Sequence, residues 1–457
     1  MTITLNTSSV RQETKKFLQL AVPLIGAQIA QSLTGFFDTI MMGKLGAQTL
    51  AAGGLASWTF TAIVYTTAGI VMGLSPLVAE AYGAGKKKRI EQLTRQGFWL
   101  VLILSIPMMI AIANFDAIML SLGQTETTVT LANNYLDFIL WGLFPAIGFI
   151  MLRGVVSGLS LGNPIIVIVI FGTLFNITGN YILGFGKFGF PRLELAGLGI
   201  ASALSWWGMF IALIIYMMKH SQLKNYRFFH NLHHFKPNII FTIIKVGLPI
   251  CTFMALELGV FTIVTYMMGV INTETLAANQ VVFQTIMVTF MIPYGMSCAT
   301  TARVGLWLGR KNNQAIKEST YISVTLGFVV MTILAIVMFL FPETIVSLYL
   351  DVNDPTNSSL VKIAIPILKV ASISQILDGV QKITYGALQG LQDNRMPVFL
   401  NIFAFWGVGL TIGYTLGFPL GWGGFGLWFG QSIGVATAAI LFLFRFNQLI
   451  KNNFFSN

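Results

Sequence analysis

The chain has 457 residues, of which 55% are hydrophobic and only 9% are Asp, Glu, Lys or Arg, and its mean hydropathy is +0.77. So few polar groups cannot cover the surface of a soluble domain of this size, which excludes a water-soluble globular protein. The net charge of +11 would suit nucleic acid if it formed one basic face, so the placement of the cations decides that reading.

About 20 predominantly apolar residues cross a bilayer as a helix, and the sequence holds twelve such stretches, centred at about residues 30, 69, 106, 145, 176, 207, 256, 290, 330, 376, 408 and 435. Their lengths, their lack of strict alternation and their abundant Leu, Ile, Met and Ala predict helices rather than the strands of a membrane barrel. The expected fold class is an all-α integral membrane protein, with twelve transmembrane helices in two pseudo-symmetric six-helix bundles.

At the N-terminus, Arg11, Lys15 and Lys16 lead into a full-length span with no short apolar region and small-residue cleavage site, so a removable signal peptide is not expected. The first span carries Asp38 after Gly35-Phe36-Phe37, and the loop after the second carries Lys86, Lys87, Lys88 and Arg89. Asn176 and Asn180 lie one helical turn apart in the fifth span. A basic connection from His220 to Lys236 follows the sixth and holds all four histidines, His220, His230, His233 and His234. Without Cys or a nearby carboxylate this cluster lacks a closed metal-ligand set and reads as a solvated linker.

Beyond the linker, the seventh span carries Glu257 with Phe261 one turn on, the eighth carries Gln280 and Gln284, and the tenth carries Asp378, Gln381 and Lys382. Cys251 and Cys298 fall inside spans, so no disulfide framework is indicated. Pro23, Pro107, Pro145, Pro249, Pro293 and Pro366 fall in or beside spans, where each removes a backbone donor and predicts bending.

With both termini cytoplasmic, 21 of the 27 Lys and Arg fall on the inner side, against Lys44, Lys187, Arg192 and Lys362 outside and Lys369 and Lys382 within the tenth span. That is the positive-inside bias of short loops. It predicts a multi-pass protein of the plasma (inner) membrane, and it leaves nothing for nucleic acid to explain.

The two halves are copies. Pro23 to Ala52 recurs 226 residues later as Pro249 to Ala278 with nine identities in thirty positions, including Met41-Met42-Gly43 against Met267-Met268-Gly269. Unrelated apolar segments would share only about two or three residues. Gly154 and Gly158 match Gly386 and Gly390 at an offset of 232, and Tyr181 matches Tyr414 at 233. The expected domains are an N-lobe at 1–220, a cytoplasmic linker at 221–241 and a C-lobe at 242–457. With an even number of spans in each half the repeats are parallel, an architecture that secondary transporters use, with sites near the membrane midplane.

The acids break the symmetry: at these offsets Asp38 faces Val264, Glu257 faces Gln31 and Asp378 faces Ala146. A carboxylate near the bilayer centre costs on the order of 2.5–3.5 kcal/mol, so each should face the protein interior or a water-filled cavity. There it can exchange protons or, with other oxygen ligands, hold a hard cation such as Na⁺. The alternative is bracing by buried bases. It has support at Asp378, since Lys382 is four residues on, and little at Glu257, whose span offers no base beyond Lys245. Asn176, Asn180, Gln280, Gln284 and Gln381 are further polar candidates, and Phe261 and Phe37 beside acids suit organic cations through cation–π attraction.

These residues resemble the multidrug and toxic compound extrusion (MATE) family, and within it the NorM-like branch. The matching pieces are Val22-Pro23 and Asp38-Thr39 with Met41-Met42-Gly43 in span one, Ser75-Pro76-Leu77-Val78-Ala79 and Tyr82-Gly83-Ala84-Gly85 after span two, and Arg303-Val304-Gly305 after span eight. The resemblance implies a V-shaped pair of lobes and alternating-access export of cationic amphipathic drugs or toxins by antiport with Na⁺ or H⁺. On it, Asp38 looks like the N-lobe acid, Glu257 and Asp378 like the C-lobe cation-site acids, and Asn176 and Asn180 like the polar pair of the fifth span. No cofactor beyond the coupling ion and no enzymatic activity are expected, and a monomer in the lipid bilayer is. Lys382 departs from the family pattern. Competing readings are a lipid-linked precursor flippase, which would want a cavity rich in Arg and Lys, a membrane-embedded enzyme, for which no nucleophile motif or phosphate loop is present, and a channel.

Overall fold

The computed structural model describes residues 7–121, 123–352 and 354–451. Among them are twelve helices long and apolar enough to cross a membrane: α1 (Val10–Leu45), α2 (Gln48–Gly83), α3 (Lys87–Ala113), α4 (Glu126–Gly158), α5 (Asn163–Gly184), α6 (Glu194–Lys219), α7 (Pro237–Ile271), α8 (Thr273–Gly309), α9 (Asn313–Leu340), α10 (Ser358–Gly390), α11 (Arg395–Gly417) and α12 (Gly423–Lys451). No strand occurs among the described residues. The predicted all-α fold class with twelve spans is what forms.

The helices run 22 to 37 residues, longer than the apolar stretches alone, because polar residues extend them past the apolar part and cap them. Thr125, Asn272 and Asn312 each accept a hydrogen bond from the backbone N–H three residues on, at 3.3, 2.6 and 3.0 Å, satisfying one of the donors that a helix start leaves orphaned. Pro23, Pro107, Pro249, Pro293 and Pro366 lie inside continuous helices. The irregularities fall elsewhere: a turn at Met72–Gly73 within α2, a 3₁₀ turn at Leu140–Gly142 within α4, and π-helical turns at Asn180–Gly184 in α5 and Ile402–Gly409 in α11. The fifth span of each repeat thus carries a π turn.

The chain packs as two compact bodies, Gly26–Cys251 on the one hand and Met1–Ile25 with Thr252–Asn457 on the other. The boundaries cut α1 and α7 two residues beyond Pro23 and Pro249, and Ile25 and Cys251 are themselves equivalent at the repeat offset of 226. Each copy therefore lends the start of its first helix to the body built by the other. The bounds read from the spans, 1–220 and 242–457, follow chain order and do not carry this exchange.

In the first body, residues 237–251 of α7 pack at backbone distance on the break in α2. A Cβ at Gly247 would lie 1.8 Å from the carbonyl oxygen of Ile70, and one at Gly73 would lie 2.7 Å from the amide nitrogen of Gly247. Only glycine permits this approach. The linker belongs to this body too. Gln96 on α3 donates to the His234 carbonyl at 2.7 Å and accepts from the Lys236 amide at 2.9 Å, Trp99 donates to the Leu232 carbonyl at 2.7 Å, and Glu91 accepts from the Arg227 amide at 2.9 Å. His230, His233 and His234 present their side chains to solvent, but the backbone between them is fastened, which the reading of a solvated linker did not include.

In the second body, Val264 and Met268 of α7, Val282 of α8, Ile367 of α10, Phe405 of α11 and Leu427 of α12 belong to one buried apolar cluster. The chain start is held there by a charge pair. Arg303 on α8 clasps both carboxylate oxygens of Glu13, and Trp307 donates to the same carboxylate at 3.3 Å. Both partners of the pair are buried, and this bidentate geometry is the strong form of an ion pair.

Candidate functional site

Two clusters of buried polar groups stand out, one inside each body. In the first body, Asp38 on α1 is buried against α5. The amide of Asn180 donates to Asp38 Oδ1 at 2.5 Å and to Asn176 Oδ1 at 3.1 Å, and Asn176 in turn donates to Ser202 Oγ on α6 at 2.9 Å. Tyr135 of α4, fully buried, reaches Ser202 and Ser57. The helical spacing of the two asparagines puts them on one face, and Asn180 opens the π turn of α5, the kind of local irregularity that re-aims side chains at functional sites.

Neighbouring bonds fix this arrangement. Thr34 and Thr173 share a hydrogen bond of 2.8 Å, and Thr173 also contacts the Ala30 carbonyl at 3.1 Å, so α1 is pinned to α5 one turn before Asp38. Arg153, buried on α4, donates to Gln28 Oε1 at 3.2 Å. No base among the described residues forms an ion pair with Asp38. The carboxylate is supported by the Asn180 amide, and Asn180 Oδ1 has no donor of its own.

The second cluster differs in kind. Lys382 Nζ lies 2.6 Å from both Oε1 and Oε2 of Glu257, with the side chains 5% and 14% exposed. The ammonium also sits over two aromatic rings, 5.3 Å from the centroid of Phe253 and 4.9 Å from that of Phe290. Phe253 stacks on Tyr385 at 3.9 Å, so the cage is walled by α7, α8 and α10. Asp378, one turn before Lys382 on α10, lies within electrostatic reach of both Lys382 and Glu257.

This overturns one expectation and refines another. The span of Glu257 holds no base near it, yet Glu257 is the braced acid: its partner comes from α10, 125 residues away in sequence. Lys382 points across to α7 instead of back along its own helix to Asp378. The Lys382 ammonium contacts both carboxylate oxygens of Glu257, and no group of three or more His, Cys, Asp or Glu side chains able to hold a metal occurs among the described residues.

The remaining candidates scatter. Gln381 is fully buried with neither amide atom partnered. Gln280 and Gln284 lie on the exposed face of α8, apart from the cage. Phe261 packs edge-on against Phe283 at 5.6 Å and borders the apolar cluster of the second body, while Phe37 stands edge-on to Phe36 at 5.9 Å. Tyr135, Ser202, Phe253 and Phe290 escaped sequence reading because buried Tyr, Ser and Phe look like any membrane core.

Comparison with known proteins supplies the family. The sequence model of the MatE family matches residues 23–182 and 249–415, one segment in each repeat. A protein of Synechococcus sp. is 48% identical over 99% of this chain and 97% of its own length, and one of Synechocystis sp. is 48% identical over 96% of each; both are called probable multidrug resistance protein NorM. Among solved structures, a MATE in the straight conformation aligns over 96% of this chain and 97% of its own with a TM-score of 0.88 at 21% identity, a likeness of fold.

Proposed function

The chain belongs to the MatE family, and from that premise we propose that it is a secondary active multidrug efflux transporter, exporting cationic amphipathic compounds by antiport with Na⁺ or H⁺ through alternating access. The observation that carries the reading is Asp38, a buried carboxylate in an apolar span that takes a hydrogen bond from the Asn180 amide and forms no ion pair with a base among the described residues. An intramembrane acid left without a counter-charge is costly unless its charge is used. A proton or a cationic drug supplies that counter-charge.

In this reading Asp38, oriented by Asn180 and Asn176, exchanges its load with one side of the membrane at a time. Protonation would let the Asp38 carboxyl donate to Asn180 Oδ1, the acceptor that has no donor, so both charge states find partners. Glu257 and Asp378 add a second charged centre, whose fixed groups comprise two carboxylates and one ammonium. The protein lies in the plasma (inner) membrane with both termini cytoplasmic, as its cation distribution favours. Entry of one positive charge down the membrane potential gains about 2.3 kcal/mol per 100 mV, equivalent to a drug gradient of under about two decades.

The test is ethidium or norfloxacin efflux from vesicles under separately imposed Na⁺ and pH gradients, for the wild type and for Glu257→Gln and Asp378→Asn. Gradient-driven efflux in the wild type that both variants lose supports a coupling role for the second cluster. Efflux that neither gradient drives would refute antiport.

A further inference from the structure

We infer that Lys382 is a built-in cation that occupies the acid site of the second body and makes that site blind to Na⁺. The inference deepens the function proposed above and rests on it for the site's role in coupling. Its physical basis is separate. Lys382 Nζ takes both oxygens of Glu257 at 2.6 Å and the faces of Phe253 and Phe290 at 5.3 and 4.9 Å. A carboxylate with two aromatic faces is the cage that suits an ammonium, and here the chain fills it with its own.

A tethered cation outcompetes a dissolved one because its effective concentration is set by the side chain that carries it and not by the solution. The ammonium brings three donors to two carboxylate oxygens. Na⁺ would have to displace it before drawing on the oxygens near Glu257, the carboxylate of Asp378 and the hydroxyl of Tyr385. Hard cations need such oxygens. Glu257 becomes available only when Lys382 leaves it, and Asp378 stands one turn back on α10 as an alternative partner at helical i,i+4 spacing. Lys382 is therefore a specificity-determining residue, and removing its charge should convert a Na⁺-blind site into a Na⁺-accepting one.

The experiment is ²²Na⁺ equilibrium binding to the purified full-length protein in choline chloride, for the wild type, Lys382→Met, Lys382→Gln, Lys382→Arg, Glu257→Gln and the double variant Lys382→Met/Glu257→Gln. Thermal unfolding establishes that each is folded. The expected result is no saturable binding in the wild type or Lys382→Arg at concentrations that saturate Lys382→Met, an affinity gain of more than about tenfold, and loss of that gain in the double variant. Saturable wild-type binding that Glu257→Gln abolishes overturns the inference. So does a folded Lys382→Met or Lys382→Gln that binds no more than the wild type, or a gain that survives in the double variant. Should neither neutral variant fold, the wild-type and Glu257→Gln arms decide: Glu257-dependent Na⁺ binding overturns the inference, and its absence upholds it. Because binding is read without transport, failed drug efflux would refute the proposed function and leave this result standing.

Discussion

Asn180 spends its amide nitrogen on two acceptors, Asp38 Oδ1 at 2.5 Å and Asn176 Oδ1 at 3.1 Å, while its own carbonyl oxygen receives no donor. The asparagine is a one-sided support: it stabilises negative charge on Asp38 and leaves an acceptor ready for a proton there. Asn180→Ala should keep the fold but remove that support, costing about 1–3 kcal/mol of local stabilisation and lowering drug efflux. Asn180→Asp should lower efflux further, since a second carboxylate beside Asp38 is a like charge. Ethidium efflux at matched expression separates the two, and equal rates for Asn180→Asp and the wild type would contradict the role given to Asn180.

The buried pair of Arg303 and Glu13 fastens the start of α1 into the second body. Arg303→Met leaves the buried Glu13 without its counter-charge, a loss of about 3–5 kcal/mol, whereas Arg303→Met with Glu13→Leu removes both charges and should restore most of it. Thermal unfolding in detergent measures the difference. Equal destabilisation by the single and double variants would mean that the pair is not what holds this segment.

Gly247 is the tightest backbone approach in the first body. Its Cβ would fall 1.8 Å from the Ile70 carbonyl oxygen, and backbone cannot retreat as a flexible side chain does. Gly247→Ala should therefore lower stability by about 1–3 kcal/mol, while Gly54→Ala, at a position where no neighbour approaches a Cβ, should be tolerated. Expression level and unfolding temperature of the two variants provide the comparison.

The linker offers a prediction read by protease. Gln96 uses both ends of its amide to hold the His234 carbonyl and the Lys236 amide. Gln96→Ala forfeits both bonds, about 1–3 kcal/mol of local closure, so tryptic cutting at Arg227 should accelerate by roughly tenfold or more. Unchanged digestion would show that Trp99 and Glu91 suffice.

The spans were legible because a bilayer demands a minimum apolar length, and the asparagine pair was legible because helical spacing fixes which residues share a face. The acid partnerships were not. Lys382 stands four residues from Asp378 and 125 from Glu257, so local spacing favours the first partner. The way α10 faces α7 selects the second, and no sequence rule carries that rotation. The π turn at Asn180 was equally hidden, because a one-residue change in hydrogen-bond register leaves composition untouched. The exchange of helix starts was half visible: Pro23 and Pro249 marked equivalent positions in the repeat, but membership of a body depends on long-range contacts such as Arg303 with Glu13 and Gly73 with Gly247. Phe261 was singled out for its proximity in sequence to Glu257, and its edge-on contact with Phe283 was not legible there because it joins α7 to α8.

Buried acids carry the charge that couples export in the proposed function, and Asp38 forms no ion pair with a base among the described residues. The most direct measurement is gradient-driven ethidium efflux from proteoliposomes containing wild-type protein or Asp38→Asn, a change that keeps the shape and removes the charge. The expected result is efflux reduced to the rate of protein-free liposomes in Asp38→Asn, with an unfolding temperature close to that of the wild type. Wild-type efflux in Asp38→Asn would contradict it.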